Sequence, residues 1–182
     1  MTHDKQPATQ HKDTRTKRQR NALVFAVVAL IWLTLDGVTK AFFESTQTLG
    51  QVMPASEWGL IHFRLVHNTG AAWGMFGNAT WLLGALSLLV CAALLVYLFV
   101  LAPRSSTPEV IGLALVFAGG LGNALDRFLR GYVVDFIETT FMDFPVFNVA
   151  DIGVTCGFVI FIVFLLIHEK KRAAQGSEEH SI

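Results

Sequence analysis

The chain has 182 residues, 53% of them apolar and only 15% charged, against about 25% charged in an average soluble domain. Its formal net charge is zero, but the charge is unevenly placed: residues 1–21 carry six Lys/Arg and two Asp (+4), and residues 22–167 carry five Lys/Arg and nine Asp/Glu (−4). Basic residues gathered in a polar tail disfavour a nucleic-acid-binding face, and Cys91 and Cys156, each inside an apolar run, read as small core residues, not as a disulfide framework or a metal site.

Four stretches read as membrane spans, at about residues 22–43, 79–101, 110–127 and 148–167. The clearest is Ala79–Leu101, 23 residues without a charge; at 1.5 Å per residue it covers roughly 35 Å, more than a hydrocarbon core of about 30 Å. The first span is too long, and too poor in a following small-residue cleavage site, to be a removed signal peptide. Lys12, Arg15, Lys17, Arg18 and Arg20 before it, Arg104 between spans two and three, and Lys170, Lys171 and Arg172 after span four predict both termini in the cytoplasm. Residues 1–21 and 168–182 then form cytoplasmic tails, and residues 44–78 and 128–147 form two outer loops. The first loop contains Trp58-Gly-Leu-Ile-His-Phe-Arg-Leu-Val-His67, whose partial alternation predicts short strands on the outer surface. Trp58, Trp73, Trp81 and Tyr132 suit an interfacial aromatic belt. No internal repeat suggests a transporter built from duplicated halves.

Ionisable groups in or beside spans are costly and mark functional sites by default. Here they gather at the outer ends. Asp36 and Lys40, four apart, share a helix face and read as a structural ion pair. Asn123, Asp126 and Arg127 have helical spacing and can cap, pair or line a site. Asp135 and Asp151 lie in apolar settings without a Lys or Arg at helix-pairing distance. Carboxyls in such surroundings have raised pKa values, and two close ones share a proton, which is what aspartyl proteolysis needs. Spacing alone leaves a proton-coupled carrier using the same carboxylates equally open.

The chain resembles the lipoprotein signal peptidases, the type II signal peptidases of bacteria. Five blocks in order carry the resemblance: Asp36-Gly-Val-Thr-Lys40, Asn68-Thr-Gly-Ala-Ala-Trp-Gly74, Gly119-Gly-Leu-Gly-Asn-Ala-Leu-Asp-Arg127, Gly131-Tyr-Val-Val-Asp-Phe136 and Phe147-Asn-Val-Ala-Asp151. It implies a mainly α integral membrane protein with four transmembrane helices, a small extracytoplasmic β cradle in residues 44–78 and a short outer-surface helix in the 128–145 region. It implies an endopeptidase of the bacterial inner membrane that cuts diacylglyceryl-modified prolipoproteins on the N-terminal side of the lipidated cysteine. Asp135 and Asp151 match the catalytic aspartates. Asn68, Gly70, Asn123 and Arg127 match positions that hold the substrate backbone, and Asn148 and Ala150 match further substrate-pocket positions. Asp36, Lys40, Asp126, Gly119 and Gly122 match structural or pocket-supporting ones. Expected partners are lipid-modified prolipoproteins and membrane lipids; no cofactor, metal or nucleic acid is expected, and the protein is expected to be a monomer.

Other chemistries fit less well. Thr39 and Lys40 are adjacent on a helix and point apart, which disfavours a hydroxyl–lysine dyad. His62 and His67 sit on an expected strand without a His-Glu-x-x-His pattern. No histidine lies inside a span to hold haem. A carrier should line a path to both faces with polar groups, and here they occupy one.

Overall fold

The computed structural model describes residues 6–54, 59–70, 79–103 and 105–179, with side chains described between residues 16 and 170. Trp58, Trp73 and Arg104, named above for the interface and the orientation, lie outside the described residues. Four helices dominate: α1 (Gln6–Thr46), α2 (Thr80–Val96, continued by a π-helical turn Tyr97–Leu101), α3 (Thr107–Leu129) and α4 (Val149–Glu179). Within them Thr16–Thr46, Thr80–Leu101, Thr107–Leu129 and Val149–Lys170 are long and apolar enough to cross a membrane. Leu23, Leu30, Leu82, Leu89, Phe158 and Leu166 are exposed on their outer surfaces, as expected where the solvent is hydrocarbon. The basic segment before the first span belongs to α1 from Gln6 onward, since its Lys, Arg and Gln residues are good helix formers.

α3 is the central helix, with more than half of its apolar window buried, while the other three bury 17% each. Its small residues explain this position. A side chain at Gly119 would collide with the backbone carbonyl of Ala150 in α4, and one at Gly122 would come within 2.5 Å of Asp36 Oδ2 in α1. Helices in a membrane associate through such close backbone approach. At the start of α3 the Glu109 side chain accepts a 2.9 Å hydrogen bond from the Ser106 backbone N–H. This satisfies one of the amide donors a helix start leaves free.

Two strands, β1 (Ile61–Asn68) and β2 (Val133–Thr139), pair antiparallel. The β structure is thus shared between the two loops. The 128–145 region, expected to hold a short outer helix, instead leaves α3 through Gly131 (φ +80°) and becomes β2, and no helix lies between residues 130 and 148. Val133-Val134-Asp135-Phe136-Ile137 is β-branched and aromatic, which favours a pleated, half-buried surface. On one face of β2, Val134 and Phe136 pack with Leu65 and Phe43, and Phe43 stacks on Phe136 with ring centres 4.1 Å apart. On its far edge, Phe147 exchanges backbone hydrogen bonds with Ile137 at 2.8 and 2.9 Å. That pairing brings the start of α4 alongside Asp135.

Candidate functional site

Strand geometry sets the first half of the site. Asn68 lies opposite Val133, so Asp135, two residues along, is its diagonal neighbour on the same face. The Asn68 side chain donates to Asp135 Oδ2 at 2.9 Å. Helix capping sets the second half. Asn148 stands just before α4 and Asp151 three residues later. Asp151 N–H donates to Asn148 Oδ1 at 3.0 Å, and Asn148 N–H donates to Asp151 Oδ2 at 3.1 Å. This is a reciprocal capping arrangement in Asn/Asp form. Asn148, fully buried, then reaches Asp135 Oδ1 with its amide at 2.7 Å. One residue thus caps the helix that carries Asp151 and donates to Asp135.

Three asparagine amides bind the two carboxylates, and each is oriented by a neighbour that can only donate. Gly70 N–H donates to Asn68 Oδ1 at 3.0 Å. The Asp151 N–H holds the Asn148 oxygen. Lys40 Nζ donates to Asn123 Oδ1 at 2.9 Å. An oxygen fixed on a donor turns the NH2 the other way. All three NH2 groups therefore face an aspartate, Asn123 donating to Asp151 Oδ1 at 2.8 Å.

Behind this layer lies a charged one. Lys40, 2% exposed, contacts Asp36 Oδ2 at 2.8 Å and Asp126 Oδ2 at 3.0 Å. A buried ammonium needs its charge and its donors met together, and two carboxylates and one amide oxygen do so. The Asp36–Lys40 pair expected from spacing is present, but it is part of a larger cluster. Asp36 Oδ1 also accepts the Ala150 N–H at 2.9 Å, one of the free donors of the α4 terminus. Asp126 closes the outer rim by accepting from Val134 N–H at 3.3 Å and pairing with Arg130 at 3.2 Å.

Asp135 is 2% exposed. Burial pushes its carboxyl up to about 7, and the Asp151 charge adds to the rise, outweighing the amides of Asn68 and Asn148 and the charge of Lys40. This is the behaviour of a desolvated acid with a like-charged neighbour.

The two carboxylates open on one cavity of about 230 Å³, lined by Asn68, Asn123, Arg127, Val133, Asp135, Asp151 and the segment Phe144–Phe147. Of the residues singled out in the sequence, Asp135, Asp151, Asn68, Asn123 and Arg127 line it directly. Gly70 is buried and is not among the lining residues, its carbonyl accepting from Arg127 at 3.2 Å. Ala150 is fully buried in the α3–α4 contact and not on the cavity wall; its N–H serves Asp36 and its carbonyl packs on Gly119. Asp36, Lys40, Asp126, Gly119 and Gly122 form the supporting layer. Sequence reading missed the apolar wall Phe144-Pro145-Val146-Phe147, whose signal was two aromatics flanking a proline just before span four. It also missed Trp32, whose ring N–H donates to the Val149 carbonyl at 3.1 Å. Among the described residues no three His, Cys, Asp or Glu side chains group as a metal-ligand set.

Residues 28–167 match the family model described as signal peptidase (SPase) II. A lipoprotein signal peptidase of Gloeothece citriformis is 42% identical over 154 residues, covering 83% of this chain and 92% of its own length. One of Microcystis aeruginosa is 37% identical over 148 residues, covering 81% and 94%. A solved bacterial membrane enzyme superposes with a TM-score of 0.73 at 30% identity, covering 81% of this chain and 90% of the other. With a family match over most of its length and relatives this similar across nearly their full length, the chain belongs to the signal peptidase II family.

Proposed function

We propose that this protein removes signal peptides from diacylglyceryl-modified prolipoproteins by aspartic chemistry, with Asp135 and Asp151 as the catalytic pair. Family membership supports the coarse activity, proteolysis of prolipoprotein signal peptides in a bacterial membrane. The observation that carries the finer reading is the convergence of two carboxylates on one cavity, with three oriented amide groups donating to them. In this reading an ionised aspartate takes a proton from water as the water oxygen bonds the scissile carbonyl carbon, and a protonated one donates to the carbonyl oxygen. No covalent enzyme intermediate forms. The Asn68–Gly70 strand end and Arg127, whose buried Nε has no partner among the described residues, are suited to hold the substrate backbone. The apolar wall Phe144–Phe147 meets its side chains.

The basic tails support a cytoplasmic placement of both termini, which puts the cavity at the outer face. There the scissile bond sits at the depth of the dyad while the signal helix and the acyl chains stay in hydrocarbon. The carrier reading fares worse because the polar cluster of Asp36, Lys40, Asn123, Asp126, Asp135 and Asp151 is separated along α3 from the buried Glu109–His168 pair at the other end by the apolar core of Val110, Leu113, Ala114 and Ala118. The test is processing of a diacylglyceryl-prolipoprotein by purified enzyme. Asp135→Asn and Asp151→Asn should each lower the rate at least about 10³-fold with helical content unchanged. Full activity in either variant rejects the pair, and loss of wild-type activity on chelation, restored by zinc, rejects metal-free chemistry.

A further inference from the structure

The two carboxylates resemble each other in donor count but not in what stands behind the donors. Asp135 receives Asn148 on Oδ1 and Asn68 on Oδ2. The oxygens of those two amides are held by neutral backbone N–H groups, of Asp151 and Gly70. Asp135 lies on a strand, which has no appreciable dipole, beside Val133, Phe144 and Phe147. Asp151 lies in the first turn of α4, where the helix N-terminus favours negative charge. One of its oxygens takes the backbone N–H of Asn148, the residue just before α4, and the other takes Asn123. Asn123 in turn is the only one of the three amides whose oxygen is held by a cation, Lys40. A hydrogen-bond chain that begins on an ammonium is polarised towards its far end.

We infer that Lys40 and Asn123 are positioning residues that assign the roles in the pair: Asp151 is the carboxylate that activates water, and Asp135 carries the proton for the carbonyl oxygen. This rests on the aspartic reading above. Lys40 is thereby more than half of a structural ion pair. Lys40 Nζ and the Asn148 amide both donate to Asn123 Oδ1, at 2.9 and 3.0 Å, and Lys40 has no acceptor to offer, so the Asn123 oxygen stays on these donors and its NH2 faces Asp151. Other charges near the pair are Arg127 on the cavity wall, Asp36 and Asp126 on Lys40, and Arg130 on Asp126. Asp36 and Asp126 offset the ammonium but do not alter the amide orientation.

The reaction then balances. The water proton moves to Asp151 as its oxygen bonds the carbonyl carbon, and the Asp135 proton moves to the carbonyl oxygen, giving a gem-diol. On collapse the Asp151 proton passes to the leaving nitrogen as the C–N bond breaks. One gem-diol hydroxyl returns its proton to Asp135, restoring both groups.

The test uses the full-length enzyme with a diacylglyceryl-prolipopeptide across a pH series, together with infrared difference spectra of the carboxyl band. Asn123→Ala leaves the Asp36–Lys40–Asp126 cluster in place and cuts the relay. It should lower kcat about 10²-fold with little change in KM and move the acidic limb of kcat/KM upward by about one pH unit. Lys40→Met should do the same, and Lys40→Arg should recover most of the loss. Near about pH 5, below the raised value of Asp135, the protonated-carboxyl signal should vanish in Asp135→Asn and persist in Asp151→Asn. A folded Asn123→Ala enzyme with the wild-type kcat and an unmoved acidic limb overturns the relay, and a signal lost in Asp151→Asn instead reverses the roles. Activity in either Asp→Asn variant is a separate result, because it removes the aspartic reading itself.

Discussion

The two ends of the helix bundle each bury a carboxylate against a cavity, and they treat it in opposite ways. At one end Glu109, 1% exposed, accepts the Ser106 N–H at 2.9 Å and pairs with His168 Nδ1 at 2.9 Å. Its cavity, about 340 Å³ and lined also by Tyr97, Ser105, Leu165 and Glu169, is the larger of the two. At the other end Asp135 and Asp151 face a cavity of about 230 Å³. They have amides on their oxygens, and the nearest ammonium, Lys40, is spent on Asp36, Asp126 and Asn123. The difference teaches that cavity size does not mark the site. What marks it is carboxylate left without a salt-bridge partner of its own where burial makes that costly. Glu109 is used up in holding the α3 start to α4, whereas Asp135 and Asp151, in the proposed reading, keep their proton chemistry available.

The comparison breaks most sharply at a single asparagine. Asn148→Ala removes a donor from Asp135 and unties the Asp151 cap. It should lower the cleavage rate by about 10²-fold or more and cost about 1 kcal/mol as a lost cap, read by processing kinetics and chemical unfolding. Glu109→Gln, at the other end, should leave the rate within about twofold and cost about 1 kcal/mol in stability. If Glu109→Gln matched Asn148→Ala in rate loss, the two ends would not differ in function.

A smaller effect probes the packing that holds the acids in place. Gly122→Val would drive a side chain into Asp36 Oδ2, and overpacking costs about 1–3 kcal/mol. The expected outcome is reduced folded yield in detergent, with the surviving fraction retaining cleavage.

The smallest effect is a pH slope in stability. Asp135 has a folded-state value of about 7 against an ordinary 3.8, so the folded protein holds this proton more tightly than the unfolded chain. Its contribution is fully present below the ordinary value and is lost as pH rises through about 7. Thermal midpoints of the wild type should therefore fall by a few degrees between about pH 4 and about pH 8, relative to Asp135→Asn. Parallel midpoints would mean that Asp135 is solvated.

How much of this was legible follows from the range of each signal. The spans were readable because hydropathy is local, and the Asp36–Lys40 pair because four residues on a helix is one face. The contacts Lys40–Asn123 and Asn68–Asp135 join residues 83 and 67 apart in the chain. No periodicity reports such contacts, and the motif blocks brought the residues into view without saying which atom meets which. The short outer helix expected around β2 was implied by the family resemblance and not by the residues themselves. The β-branched composition of β2 was the better guide. Ala150 was grouped with the substrate pocket by the resemblance alone; in the structure it is fully buried, with its N–H on Asp36 and its carbonyl against Gly119, contacts that no sequence pattern reports.

The pH dependence of kcat/KM for cleavage of a diacylglyceryl-prolipopeptide tests the central claim most directly. A pair that needs one ionised and one protonated aspartate predicts a bell, with an alkaline limb near the Asp135 value of about 7. The acidic limb comes from protonation of the other carboxylate. A rate that keeps climbing well past that limb, as for a nucleophile that gains reactivity by losing a proton, would contradict the account.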